Sequence, residues 1–251
     1  MRAPLSDWLT TPPPPTDWLV PGLLVRGGLM VIAGDPGVGK SALIYGLSLA
    51  LATGSSILSR PLPLSRVLYF DEENSEHDSR RYVSWLWRGL DCPDVSQVVE
   101  NLRLERFTLS PQQRPYELMH RLTQAHKADV VVIDTATPAC RILDENSNAE
   151  ASLAIRQLRL VRNAGAPNCT MIVLKHARVD GQTGKRDIRG AKAWKGEADA
   201  ILFHVASPGQ PPSTGWRTTH LEPGKVRADG LRANLSIIPE PHNGGWRLLA
   251  G

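Results

Sequence analysis

The sequence predicts an α/β fold whose mainly parallel sheet is covered by helices on both faces, and three observations predict it. The first is the run Gly34-Asp35-Pro36-Gly37-Val38-Gly39-Lys40-Ser41, which has the Gly-x-x-x-x-Gly-Lys-Ser spacing of a phosphate-binding loop. The second is the regular alternation of short apolar runs with longer helical patterns. The third is that these runs, Val130-Val131-Val132-Ile133 above all, are apolar on both faces, as strands of a covered parallel sheet must be.

Taken in order, the chain begins with an arm over residues 1–16, in which Thr11-Pro12-Pro13-Pro14-Pro15-Thr16 is stiff and extended, in the polyproline II manner. Residues 17–251 are expected to form the nucleotide-binding domain. Arg26-Gly27-Gly28 turns the chain into a strand over Leu29 to Ala33, and the loop hands over to a helix from Ser41 to Thr53. Val67 to Asp71 is the next strand. A helix follows from Ser75, a good N-cap, to Leu90. Asn101 to Phe107 reads as a short strand, Pro115 to His126 as a helix and Asp129 to Asp134 as a buried strand. The helix from Asn148 to Asn163 should close on Gly165 at a left-handed C′ position. Thr170 to Leu174 and Ala200 to Phe203 are further strands. From Thr214 the pattern changes to short strands, Gly215 to Leu221, Leu231 to Ile238 and Gly245 to Leu249, which predict antiparallel hairpins extending the same sheet.

Composition sets outer bounds. With 251 residues, 41% of them hydrophobic, the chain can bury a full core, and no stretch reads as a membrane span or a signal peptide. Cys92, Cys140 and Cys169 are sparse, odd in number and without metal-ligand spacing, which suggests a reducing, cytoplasmic setting and thiols used as small apolar groups. The net charge of +4 is unevenly placed. Residues 175–232 hold eleven Lys and Arg against six Asp and Glu, a surface that is either simply solvated or drawn to polyphosphates.

The chemistry converges on a bound nucleoside triphosphate. Glycines let successive backbone amides turn inward around a phosphate, and the helix behind them, which Ala42 continues, points its positive end at the same anion. Lys40 should reach the β- and γ-phosphates of ATP, and the Ser41 hydroxyl should hold Mg²⁺ together with a carboxylate. Asp134, at the end of the Val130–Ile133 run, is that carboxylate. Thr135 follows it where many hydrolysing P-loop proteins carry a glutamate, so the water-orienting acid is sought at Asp71-Glu72-Glu73, with Glu73 favoured over Glu72. His176, at the end of the strand after Asp134, is positioned to contact the γ-phosphate. The segment Arg178 to Gly190 is glycine-punctuated and basic, and Lys185, Arg186 and Arg189 suit a loop that tracks phosphates of nucleic acid.

These motifs, from Asp17-Trp18-Leu19-Val20-Pro21-Gly22 through the P-loop, Tyr69-Phe70-Asp71-Glu72-Glu73-Asn74, Val132-Ile133-Asp134-Thr135, Asp144-Glu145-Asn146 and Lys175-His176, resemble the RepA-type ATPases, replicative helicases built on one RecA-like domain. The resemblance implies a RecA-like P-loop fold and a hexameric ring with ATP and Mg²⁺ between subunits. In it Glu73 is the catalytic carboxylate and His176 the γ-phosphate sensor. It also implies that Arg227, with Lys225 beside it, is an arginine finger reaching into the neighbouring subunit's site. Single-stranded DNA in the channel, and replication initiator or primase proteins, are the partners it implies. A regulatory or assembly ATPase acting on a protein is the competing reading.

Overall fold

The computed structural model describes residues 5–107, 114–179, 186–189, 192–207, 217–227 and 235–251. A short helix α1 (Leu5–Thr10) and the proline arm lead to a two-stranded ribbon, β1 (Trp18–Val20) and β2 (Leu24–Val25). Strand β3 (Leu29–Gly34) and helix α2 (Lys40–Thr53) flank the P-loop, and a second ribbon follows, β4 (Ser56–Ile57) and β5 (Arg60–Pro61). Then come β6 (Val67–Asp71), α3 (Glu76–Gly89), α4 (Val95–Asn101), β7 (Leu102–Glu105), α5 (Pro115–His126), β8 (Val130–Asp134), α6 (Ala136–Ala139) and α7 (Asn148–Asn163). The remainder is β9 (Thr170–Val179), β10 (Arg186–Ile188), α8 (Ala193–Glu197), β11 (Ala200–Ala206), β12 (Thr219–Val226), β13 (Leu235–His242) and β14 (Gly245–Ala250).

The main sheet has the order β14-β13-β12-β11-β3-β9-β8-β6-β7, with β10 added along β9. From β11 to β7 every pairing is parallel, whereas β12, β13 and β14 join antiparallel. The expected α/β fold with C-terminal antiparallel strands is therefore what the chain forms. Because successive residues of a strand face opposite sides, β3 splits its side chains between two cores. Met30 and Ile32 pack under α2, while Leu29, Val31 and Ala33 pack toward α5, α6 and α7. Each large apolar side chain so buried contributes about 1.5–3 kcal/mol. Helix α2 is buried on nearly every side because α3 and α4 cover it, which explains why its sequence shows no polar face. Ser75 caps α3 by accepting from the Asp78 amide at 3.1 Å.

Several elements differ from the sequence reading, for local reasons. Strand β9 does not end at Leu174 or His176. It continues to Val179 because β10 supplies backbone partners, Arg186 opposite Val179 and Ile188 opposite Ala177, and Ile188 is buried. The described ends of the expected basic segment, Arg178 with Val179 and Arg186 to Ile188, are thus paired strands, and Lys185 lies outside the described residues. Strand β12 begins at Thr219, with Arg217 and Thr218 outside it, and carries Gly224 and Lys225, while Leu231, the expected start of the next strand, lies outside the described residues. Helices α1, α4 and α8 are short and went unanticipated. Gly165 is not in the left-handed region expected of a C′ glycine. A Cβ there would stand 2.5 Å from the Ala128 carbonyl oxygen and 2.7 Å from Cys169 Sγ, so close packing is what requires glycine.

Candidate active site

The P-loop spans the gap between the C-terminal end of β3 and the first turn of α2. Gly37 and Gly39 hold φ of 73° and 100°, which side chains disfavour. Gly34 needs no unusual φ, but a Cβ there would lie 2.5 Å from the His204 carbonyl oxygen of the neighbouring β11. Lys40 is buried, and its Nζ donates to the carbonyls of Gly34 at 3.1 Å and Asp35 at 3.0 Å. Burial lowers its pKa, against the opposing pull of Glu73, Asp134 and Asp35.

Sheet order decides which side chains meet this loop. Strand β9 lies directly beside β3, with His176 opposite Gly34. Strand β8 follows, then β6, whose Asp71 is opposite Asp134. The ends of β3, β9, β8 and β6 therefore form one edge, where open parallel sheets bind ligands.

Asp134 is fully buried, and burial pushes its carboxyl up to about 6, with hydrogen bonding from Tyr69 and Ser41 acting the other way. Tyr69 Oη donates to its Oδ2 at 2.6 Å, and Asn74 Nδ2 lies 3.4 Å from the same oxygen. Among the described residues its Oδ1 has no hydrogen-bond partner. A buried carboxylate oxygen left over beside the hydroxyl-bearing first turn of α2 is the donor set a hard cation takes when phosphates complete the shell. Ser41 and Asp134 thus fit the Mg²⁺ that nucleotides bring.

The turn after β6 sorts its three acids. Asp71 is buried, and burial works to raise its pKa. Hydrogen bonds from Ser79, Tyr45 and Asn74 outweigh that and hold it below the usual range. Ser79 Oγ donates at 2.6 Å and the Asn74 backbone and side-chain amides at 3.0 Å each, so Asp71 anchors the turn. The Glu72 carboxylate accepts from the Phe107 amide at 2.6 Å, and partial burial raises its pKa. Glu73 faces the P-loop side, with Oε1 3.6 Å from His176 Nε2. The His176 pKa is lowered, first by burial and also by Lys40, with Glu73 opposing. Glu73, His176 and Lys40 are therefore brought together, and Glu72 is not among them.

One part of the site escaped sequence reasoning. A cavity of about 200 Å³ adjoins Gly37, Gly39 and Ala42 and is walled by Arg81, Tyr82 and Trp85 of α3, His204 of β11, and Thr219, Ile237 and Pro239. The Arg81 guanidinium lies 5.2 Å from the Trp85 ring centroid. Arg217 Nη2 is 3.4 Å from the Gly37 carbonyl oxygen. His204 is buried, and burial pushes its pKa down to about 3, so the ring is neutral. Its Nε2 is 2.6 Å from Thr219 Oγ1. A flat aromatic and guanidinium surface beside a phosphate loop is suited to a nucleoside base. The available signal was the aromatic pair on the helix after Asp71–Glu73.

Of the remaining predicted residues, Lys225 and Arg227 lie elsewhere, whereas Arg186 reaches Asp35 of the P-loop. Lys225 Nζ donates to the carbonyls of Lys195 and Gly196, the latter at 3.1 Å, and Arg227 Nη2 donates to Gly196 at 2.6 Å. Both cap the end of α8, beside Asp199, and Asp199 bonds the start of β3. They sit at the sheet edge opposite their own P-loop. Arg186 pairs with Asp35 and Arg189 with Glu145. Cys140 and Cys169 are buried, and burial pushes each thiol up to about 12, as for packed apolar groups, while Cys92 is exposed. No helix among the described residues is long and apolar enough to cross a membrane. Among curated proteins no match to the sequence is found. A family model described as an AAA domain (AAA_25) matches residues 2–182, well over half of the chain, so the chain belongs to this family of P-loop ATPases.

Proposed function

We propose that the chain is the subunit of an ATP-hydrolysing RecA-like ring, a DNA helicase that moves on single-stranded DNA in the replication of a plasmid, phage or similar element. The observation that carries the ring is the location of Lys225 and Arg227. The length of β3 separates them from their own P-loop, roughly 20 Å for a strand of that size, so any nucleotide they serve belongs to a neighbour. In this reading the amides of Gly37 to Ser41 and Lys40 hold the phosphates, and the Arg81–Trp85 surface takes the base. Ser41 and Asp134 hold Mg²⁺, which supplies neutralisation of the phosphate charge. Glu73 orients the attacking water, His176 responds to the terminal phosphate, and Arg227 of the adjacent subunit stabilises charge on the transferred group.

A second reading, a regulatory or assembly ATPase with a protein partner, is favoured by one observation. Arg178, Arg186 and Arg189, the described arginines of the post-sensor segment, each pair with a carboxylate of the same chain. ATP turnover measured with and without single-stranded DNA separates the two. A motor binds the strand and turns over several-fold faster; absence of both binding and stimulation leaves the regulatory reading standing.

A further inference from the structure

Asp35 occupies the first free position of the P-loop and places a half-exposed carboxylate at the mouth of a site that must accept a polyanion. Left alone, that charge opposes phosphate binding. The nearby Lys40 spends its hydrogen bonds on backbone carbonyls, those of Gly34 and Asp35. Among the described residues, the group that meets the Asp35 side chain is Arg186. Its Nη1 lies 3.5 Å from Asp35 Oδ2 and its Nε 3.9 Å from Glu222 Oε2 of β12. Arg186 opens β10 and is held in place by pairing with Val179 of β9, three residues beyond His176. Its side chain is 28% exposed and that of Asp35 56%, so the pair is partly open to water and its strength depends on salt.

We infer that Arg186 is an electrostatic positioning residue for the nucleotide, which offsets the Asp35 charge at the P-loop and thereby ties polyphosphate affinity to the β9–β10 hairpin. The inference rests on the proposed binding of a nucleoside triphosphate at Gly34 to Ser41. Arg186 acts through Asp35 and not through contact with nucleic acid. Anything that pulls the hairpin away from Asp35 weakens nucleotide binding, and bound nucleotide in turn favours the docked hairpin, since coupling between two sites is reciprocal.

The test is a double-mutant cycle read by binding of a fluorescent ATP analogue, at low and high salt, with binding of a labelled oligothymidylate measured alongside. Arg186→Ala should weaken analogue binding about fivefold to tenfold at low salt, and less at high salt. Arg186→Lys should retain most of the affinity. In an Asp35→Asn background, Arg186→Ala should have little effect, a rescue that a folding defect would not give. The inference is overturned if Arg186→Ala leaves analogue affinity unchanged, whether or not oligothymidylate binding falls, or if it costs the same in both backgrounds. Wild-type protein that binds no analogue overturns the nucleotide reading itself, whereas wild-type binding with a null cycle overturns this inference alone.

Discussion

The Glu73 carboxylate has His176 on one side and Lys40 within electrostatic range, while that of Glu72 is taken up by the Phe107 amide. Glu73→Gln should therefore lower single-turnover ATP hydrolysis by about 10²–10⁴-fold with nucleotide binding retained. Glu72→Gln should slow the same reaction far less. Comparable losses in both would remove Glu73 from the role. His204 gives a pH dependence at the same scale. Its folded pKa of about 3 lies below the unfolded value near 6.5. Between those values the unfolded chain holds a proton that the folded chain refuses, so this group lowers stability as the pH falls through that window. The slope is at most about 1.4 kcal/mol per pH unit. Urea unfolding at pH 7.5 and 5.5 should show a shallower acid loss for His204→Gln than for wild type, and parallel losses would contradict the assignment. Glu72 and Glu73 are adjacent identical residues, and no spacing rule distinguishes them. What separates them is the Asp71-anchored turn, fixed by Ser79 and Tyr45 from two different helices.

Elements are recognisable when they are long and when their pattern follows from burial. Strands β3, β6 and β8 are apolar throughout because both faces are covered, and α5 and α7 run between the residues their periodicity indicates. Helix α4 buries a single residue, Asn101, and α1 none, so neither carries an apolar stripe to be read. The extension of β9 is decided by its antiparallel partner β10, and not by its own residues. Gly165 marks the limit in another way. Its position after α7 suggests a cap, yet the requirement comes from Ala128, two residues before β8, and from Cys169. Gly165→Ala should accordingly destabilise the fold by about 1–3 kcal/mol, as overpacking against backbone does. Nucleotide affinity of the folded fraction should be unchanged. Chemical denaturation checks this, and a neutral result would mean that the α7–β8 junction can open at little cost.

At the scale of the whole molecule, nucleotide-binding groups and the Lys225–Arg227 pair occupy opposite edges of one sheet. In the proposed ring this separation makes each site a composite of two subunits. Arg227→Ala protein mixed into wild type should then lower turnover more than in proportion to its fraction, since one altered subunit disables its neighbour's site. A strictly linear decline would place Arg227 outside the site. By itself the sequence determined that a phosphate loop stands between a buried strand and a buried helix, that Asp134 ends a second such strand, and that the fold is a covered parallel sheet. Those are local requirements: positive φ, anion-binding amides and two-sided burial leave their mark on consecutive residues. Only the tertiary structure decided that Glu73 and not Glu72 faces the loop, that Arg186 turns to Asp35, and that Arg81, Trp85, His204 and Thr219 wall one cavity. These depend on which strands lie side by side, and strand order is set by packing between residues far apart in the chain, which no short stretch of sequence records.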